Sequence, residues 1–287
     1  MKFSLFTVSV PDLTPEQALE KLKEYGYDAV DWRVTEIPTD SEIQKEAPSY
    51  WRNNYCTLDI SDVDQKAEEI RVLTEKYGLT VNALATYVTC VDSEEKIKRC
   101  MEAAKCMGCS RIRVNSLKYT GERSYQDVYE ETVEGFKRVE KLAMETGVKA
   151  DLEMHMGTIT PSASAAYRVV SNFDPKYIGV IYDTGNVIYE GFEVYKMAFE
   201  ILGPYLDLVH VKNASWVKKE VEGQEKYAPD WAPFADGYAD FKACFQALKA
   251  VGYDGYITFE DFSFSESSEE KLKNNIQYIK QLIASLE

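Results

Sequence analysis

The sequence has 287 residues, of which 45% are hydrophobic and 28% charged, enough apolar material for a full-sized folded core. A net charge of −15 repels phosphate backbones and anionic bilayers, so nucleic acid and membrane surfaces are not expected as partners. Length alone allows one large domain or two ordinary ones, and the order of elements has to decide.

The first apolar run, KFSLFTV (residues 2–8), alternates like a strand and leads through Pro11 into PEQALEKLKEYG (15–26), an amphipathic helical segment. One lysine followed by so short an apolar run reads as a first strand and not as a signal peptide. No window offers the roughly 20 apolar residues of a membrane span, and the chain is read as cytoplasmic. The same alternation then recurs: YDAVDWRV (27–34), DVDQKAEEIRVLTEKYG (62–78), LTVNALATYV (79–88), SEEKIKRCMEAAKCMG (93–108), SRIRVNSL (110–117), SYQDVYEETVEGFKRVEKLAMETG (124–147), VKADLEMH (148–155), IGVIYDTG (178–185), LDLVHVKN (206–213), DFKACFQALKAVG (240–252) and YDGYITFED (253–261), closed by a helix over 267–287. Several helical segments end in Gly26, Gly78, Gly108, Gly147 or Gly252, the residue that accepts the left-handed turn beyond a helix. Eight βα repeats predict an α/β protein, one (β/α)8 TIM barrel occupying 1–287 as a single domain. A doubly wound sheet is the competing fold, and no glycine-rich phosphate fingerprint supports it.

Six cysteines (Cys56, Cys90, Cys100, Cys106, Cys109, Cys244) show no disulfide spacing. Cys106 and Cys109 could form a redox or zinc pair, but read better as small buried apolar groups around a helix end at Gly108. Two connections, 35–60 and 213–238, are long and belong on the carboxyl-end face, where barrel sites are built. The second carries Trp216, Tyr227 and Trp231, an aromatic wall for a sugar or polyphenol ring, or else a subunit contact.

Four apolar runs end in metal-binding side chains: Glu153, Asp183, His210 and Glu260. Alternation aligns Asp151, Glu153 and His155 on one face, and His210 with Lys212 on another. Acidic residues after strands also cap helices, but four donors on four successive strands point to one ion site. Three carboxylates and an imidazole are hard oxygen and nitrogen donors, suited to a divalent cation: Mn²⁺ first, with Mg²⁺, Co²⁺ or a catalytic Zn²⁺ as the alternatives. Asn115 and Lys212 are placed by strand parity near the mouth, where they would bind substrate oxygens. Arg111 and Arg113 lie deeper and read as internal salt bridges, with Asp151 as the partner. Trp32 and Tyr87 read as packing or pocket wall. His155 reads either as a proton-transfer group or as a mouth histidine that orients Glu153.

In this order of Glu, Asp, His and Glu the sequence resembles the xylose isomerase-like superfamily of sugar isomerases and epimerases, over essentially the whole chain. The resemblance implies a metal-dependent barrel acting on a small sugar or sugar derivative by proton abstraction α to a carbonyl, through a metal-stabilised enediolate. It implies that Glu153 and Glu260 are the acid/base pair as well as ligands, with Asp183 and His210 completing the coordination. Asn186 stands where relatives often place a substrate-handling histidine, and Trp216 where the loop would meet the substrate. The arginine that epimerases carry shortly after the metal-bound histidine is absent, with Lys212 the nearest cation. The same chemistry ends in epimerisation, isomerisation or, if a β-substituent leaves, a lyase reaction, as in inosose dehydratases and in the large subunits of C-glycoside deglycosidases. A non-catalytic sugar-binding subunit is a further reading. The apurinic endonucleases of the superfamily need more histidines than the two present. A homodimer or homotetramer is expected from the resemblance and the 20 tyrosines, and a hetero-complex with a small subunit stays open.

Overall fold

In the computed structural model, which describes residues 1–286, eight parallel strands close on themselves. They are β1 (Lys2–Phe6), β2 (Ala29–Thr35), β4 (Thr80–Thr86), β5 (Arg111–Arg113), β6 (Lys149–Glu153), β7 (Ile178–Asp183), β8 (Leu206–Val211) and β11 (Tyr256–Phe259). Each is hydrogen-bonded to the next in that order, and β11 pairs with β1 to complete the ring. The eight runs singled out in the sequence are these eight strands. A short β3 (Thr57–Asp59) adds in parallel to the carboxyl end of β2.

Alternation divides each strand between two environments. Val30, Trp32, Val34, Leu152, Val180, Tyr182, Val209 and Ile257 are buried in the large core that the surrounding helices complete. The opposite parity points along the barrel axis, where Ala83, Ile181 and Leu208 form a small internal layer and Phe6, Val8, Ala85 and Phe262 another near the mouth. The outer helices include α1 (Pro15–Tyr25), α2 (Ala67–Lys76), α3 (Glu94–Cys106), α4 (Tyr125–Thr146), α8 (Phe241–Ala250) and α9 (Ser268–Ala284). Their starts are written locally: Thr14 with Gln17 and Ser267 with Glu270 form reciprocal capping boxes. Two of the glycines read as helix ends, Gly26 and Gly147, adopt φ of 79° and 77°. Among the described residues no helix is long and apolar enough to cross a membrane.

Two features depart from the sequence reading. The connection over 213–238 is largely an antiparallel ribbon, β9 (Asn213–Val221) and β10 (Gln224–Ala232), turned at Glu222 and Gly223, both at positive φ. Its strands carry charges where a half-buried strand would alternate, because most of the ribbon projects into solvent and has no core face to write. Asn213 fixes its base, donating Nδ2 to the Phe234 carbonyl and accepting from the amides of Ala214 and Ala239. The cysteine pair divides, with Cys109 buried and Cys106 exposed. The short helices α5 (Ala163–Val170), α6 (Asn186–Tyr189) and α7 (Tyr195–Leu202) complete the set.

One helix position yields a prediction whose sign runs against helix propensity. Gly135 lies within α4, and a Cβ there would sit 2.6 Å from the Cys90 carbonyl oxygen. An exposed helical Gly→Ala change gains about 1 kcal/mol. Gly135→Ala is instead expected to destabilise by about 1–3 kcal/mol through overpacking, measured as a fall in the urea midpoint at constant slope.

Candidate metal centre

The strand ends of β6, β7, β8 and β11 bring Glu153, Asp183, His210 and Glu260 together. All four are buried, and each offers a ligand atom within 4.8 Å of the others. That spacing fits one ion, since ligands at about 2.0–2.4 Å from a common centre lie at most about 4.8 Å apart.

Each donor is aimed by its own surroundings. Asp183 accepts the amides of Gly185 and Asn186 on Oδ1 at 2.9 and 2.8 Å, which turns Oδ2 toward the cluster without a hydrogen-bond partner. Glu153 receives Arg113 Nη1 on Oε2 at 2.8 Å, while Arg113 is itself held by its Nε bond to the Thr86 carbonyl. His210 rests beside Phe6, with Nδ1 3.5 Å from Glu153 Oε1 and Nε2 3.8 Å from Asp31 Oδ2, and neither nitrogen is hydrogen-bonded. Glu260 meets Lys212 Nζ at 2.6 Å, and the same ammonium lies 3.0 Å from Asp183 Oδ2. Lys212 can run across the Asp-Thr-Gly turn because residue 185 has no side chain: a Cβ there would lie 2.6 Å from Lys212 Cγ.

The electrostatics are those of packed charge. Burial opposes ionisation of Glu153, yet Arg113 and His210 outweigh it and hold the carboxyl well below the usual range. Burial, with Asp183 and Glu153 nearby, pushes Glu260 up to about 7 against the pull of Lys212. Burial also disfavours the His210 cation, but the negative charge of the neighbouring Asp31 and Glu153 carboxylates outweighs it and raises the pKa to about 10. Three carboxylates face only two fixed cations, Arg113 and Lys212. A divalent ion among them would favour ionised carboxylates and a neutral imidazole; His210 Nδ1 has no hydrogen bond to give up, and Asp183 Oδ2 would exchange its ion pair with Lys212 for the metal.

A cavity of about 940 Å³ opens over the cluster, with Glu153 and Glu260 in its wall. Asp183 and His210 lie behind them. Lys212, His155 and Asn115 also line the cavity, His155 with Nδ1 2.8 Å from the Met156 carbonyl oxygen. Two other residues singled out in the sequence are elsewhere. Asn186 is buried at the start of α6 and donates Nδ2 to the carbonyl of Met154, just beyond β6. Trp216 is half exposed and donates Nε1 to the Ile188 carbonyl. The ribbon's contribution to the cavity wall is Trp231.

The arginines also differ from expectation. Arg111 pairs with Asp207 at 3.0 Å and only approaches Asp151, at 3.9 Å. Arg113 reaches the cavity and the Glu153 carboxylate, because it sits one inward position nearer the mouth than Arg111. Tyr87 lines the cavity, whereas Trp32 is wholly within the outer core.

Asp31 is the residue that sequence reasoning missed. It is fully buried on the axial face of β2, accepts from Ser4 Oγ, Asn82 Nδ2 and Thr258 Oγ1, and turns Oδ2 toward His210 Nε2. Its signal was a carboxylate inside the apolar run AVDWRV, with no helix start beside it to cap. A carboxylate behind a ligand histidine fixes which nitrogen carries the proton. Asp31→Ala is accordingly expected to weaken Mn²⁺ binding about 10–100-fold, measured by calorimetry. Unchanged affinity would mean that packing alone orients His210.

Comparison with known proteins agrees with this architecture. An inosose dehydratase from Geobacillus thermodenitrificans (strain NG80-2) is 30% identical over 158 residues, 52% of this chain and 53% of that protein. The chain thus spans about half the length of the curated relatives it matches. Among solved structures, the 3-keto-D-glucoside 4-epimerase from E. coli superposes with a TM-score of 0.72 at 17% identity, covering 98% of this chain and 99% of the other. The IolI protein with a bound zinc atom superposes at 0.71 and 18% identity, covering 99% of each. At those identities the likeness is one of fold. The model of the xylose isomerase-like TIM barrel family matches residues 19–282, and the chain belongs to that family.

Proposed function

We propose that the protein is a divalent-metal-dependent sugar isomerase or epimerase that removes and returns the proton α to the carbonyl of a keto-sugar. The observation that carries this reading is the division of the cluster: of its four donors, Glu153 and Glu260 alone line the cavity, where a substrate would meet them. A divalent ion held by the four, with Mn²⁺ the first choice, would polarise the carbonyl and offset the charge that develops on its oxygen.

The chain's own groups supply the rest. Glu153 and Glu260 project from β6 and β11, separated around the ring by β7 and β8, so one carboxylate takes the α-proton and the other returns it from a different direction. Lys212 and Arg113 keep positive charge beside these carboxylates. Asn115 and Lys212 bind substrate oxygens, and His155 at the mouth shuttles a hydroxyl proton. Proton return to the opposite face gives an epimer, and return to the adjacent carbon gives an isomer.

A second reading is a lyase, favoured by the inosose dehydratase relatives. There the same carbanionic intermediate expels a β-substituent. Proton NMR in D₂O, with the Mn²⁺-loaded protein and free ketoses, inososes and 3-oxo-glycosides, separates the two. Deuterium entering α to the carbonyl with every group retained supports the isomerase or epimerase. Loss of water or of a substituent moves the protein to the lyases, and no exchange with any class overturns both.

A further inference from the structure

The cavity is larger than its chemistry requires. A ketohexose has about a dozen non-hydrogen atoms, whereas a volume of 940 Å³ is near the top of the roughly 300–1,000 Å³ that encloses drug-sized ligands. The surplus space has a definite lining.

Four aromatic rings follow one another along the wall: Tyr189 and Trp231 with centroids 4.4 Å apart, Trp231 and Phe262 at 5.4 Å, and Phe262 and Trp51 at 4.7 Å. They come from α6, the ribbon, the segment after β11 and the long connection after β2, so no single element's core packing explains the row. Its middle is tied to the carboxylate cluster, because Lys212 Nζ lies 4.8 Å from the Trp231 centroid and 5.0 Å from that of Phe262. A reacting ring over Glu153 and Glu260 therefore faces the middle of the row. Three ring-to-ring steps are longer than one sugar ring, and the end at Trp51 stays uncovered, with 54% of that side chain exposed. Tyr119, 46% exposed, also lines the outer cavity with Leu117.

We propose that this outer part of the cavity is a subsite for a second ring, so that the substrate is a keto-sugar carrying a ring substituent, a keto-glycoside, whose appended ring stacks on Trp51. The inference rests on the keto-sugar reading above. The shared chemistry of the appended group is a flat face of C–H or π character, which an aryl aglycone and a second pyranose both present. Most of the positive charge in the lining is already matched: Lys212 and Arg113 face carboxylates and Arg123 is paired with Glu131, which leaves Lys118 as the lining cation without an ion pair among the described residues and suits an uncharged ring at the Trp51 end.

The test compares deuterium wash-in for three substrates with the Mn²⁺-loaded protein: 3-oxo-glucose, 3-oxo-4-nitrophenyl β-glucoside, and cellobiose oxidised at C3 of its non-reducing ring. At least one two-ring substrate is expected to exceed 3-oxo-glucose about tenfold or more in kcat/KM, with the aryl and glycosyl arms identifying the source of the ring. Trp51→Ala should remove most of that ratio, and Trp51→Phe should retain much of it. Wash-in for 3-oxo-glucose with no advantage for either two-ring substrate, or an advantage that survives Trp51→Ala, overturns the subsite and leaves the keto-sugar reading standing. No wash-in with any of the three overturns the subsite, and the keto-sugar reading is then decided by the free ketoses and inososes of the exchange experiment above.

Discussion

Glu260→Gln is expected to lower α-proton exchange at least about a thousandfold, within the 10²–10⁴ that a positioned acid or base contributes together with the loss of a charged ligand. The amide keeps the side chain's size but cannot accept and release a proton at neutral pH. Glu153→Gln should have an effect of the same order, because both glutamates line the cavity. It should also leave Arg113, buried and bonded to Glu153 at 2.8 Å, without its ion partner. Wash-in rates by NMR, with folding checked by circular dichroism, give the comparison. Full exchange in either glutamine variant would remove that residue from the proton pathway.

Saturating Mn²⁺ is expected to raise the melting temperature by about 10 °C. Binding at a thousandfold excess over Kd contributes about 4 kcal/mol, and each kcal/mol is worth roughly 2–4 °C in a chain approaching this size. The increment should vanish in His210→Ala, which removes the one nitrogen donor of the cluster. Differential scanning calorimetry with and without a chelator measures both. A rise that persists in His210→Ala would place the stabilising ion elsewhere on this acidic chain.

Much of this architecture was legible from residue order. Strand alternation, helical periodicity and terminal glycines sufficed for eight βα repeats because each obeys a local rule: the outward parity of a barrel strand meets helices and stays apolar, as at Val30, Trp32 and Val34. The four donors were legible for a related reason. A carboxylate or histidine at the end of an apolar strand is conspicuous, and three carboxylates and one histidine on four successive strands are brought together by ring closure.

What escaped the reading depends on distances between elements. Arg111 and Arg113 share parity, and only the barrel's depth shows that one reaches Asp207 and the other Glu153. Trp216 and Trp231 look alike as loop aromatics. The ribbon register pairs Trp231 with Ala214 near the barrel and Trp216 with Pro229 two residues farther along. One ring therefore enters the cavity wall and the other lies on α6. Asp31 was hidden because the reading followed strand ends, whereas its role comes from the middle of β2, beneath a histidine on β8.

The central claim is that Glu153, Asp183, His210 and Glu260 hold one divalent ion at the cavity floor. Anomalous diffraction at the manganese edge from Mn²⁺-soaked crystals tests it most directly. The account predicts one strong peak within about 2.0–2.6 Å of a donor atom from each of the four, with Lys212 Nζ drawn away from Asp183 and Glu260. A cluster without a peak, with Lys212 still seated between those two carboxylates, would contradict it.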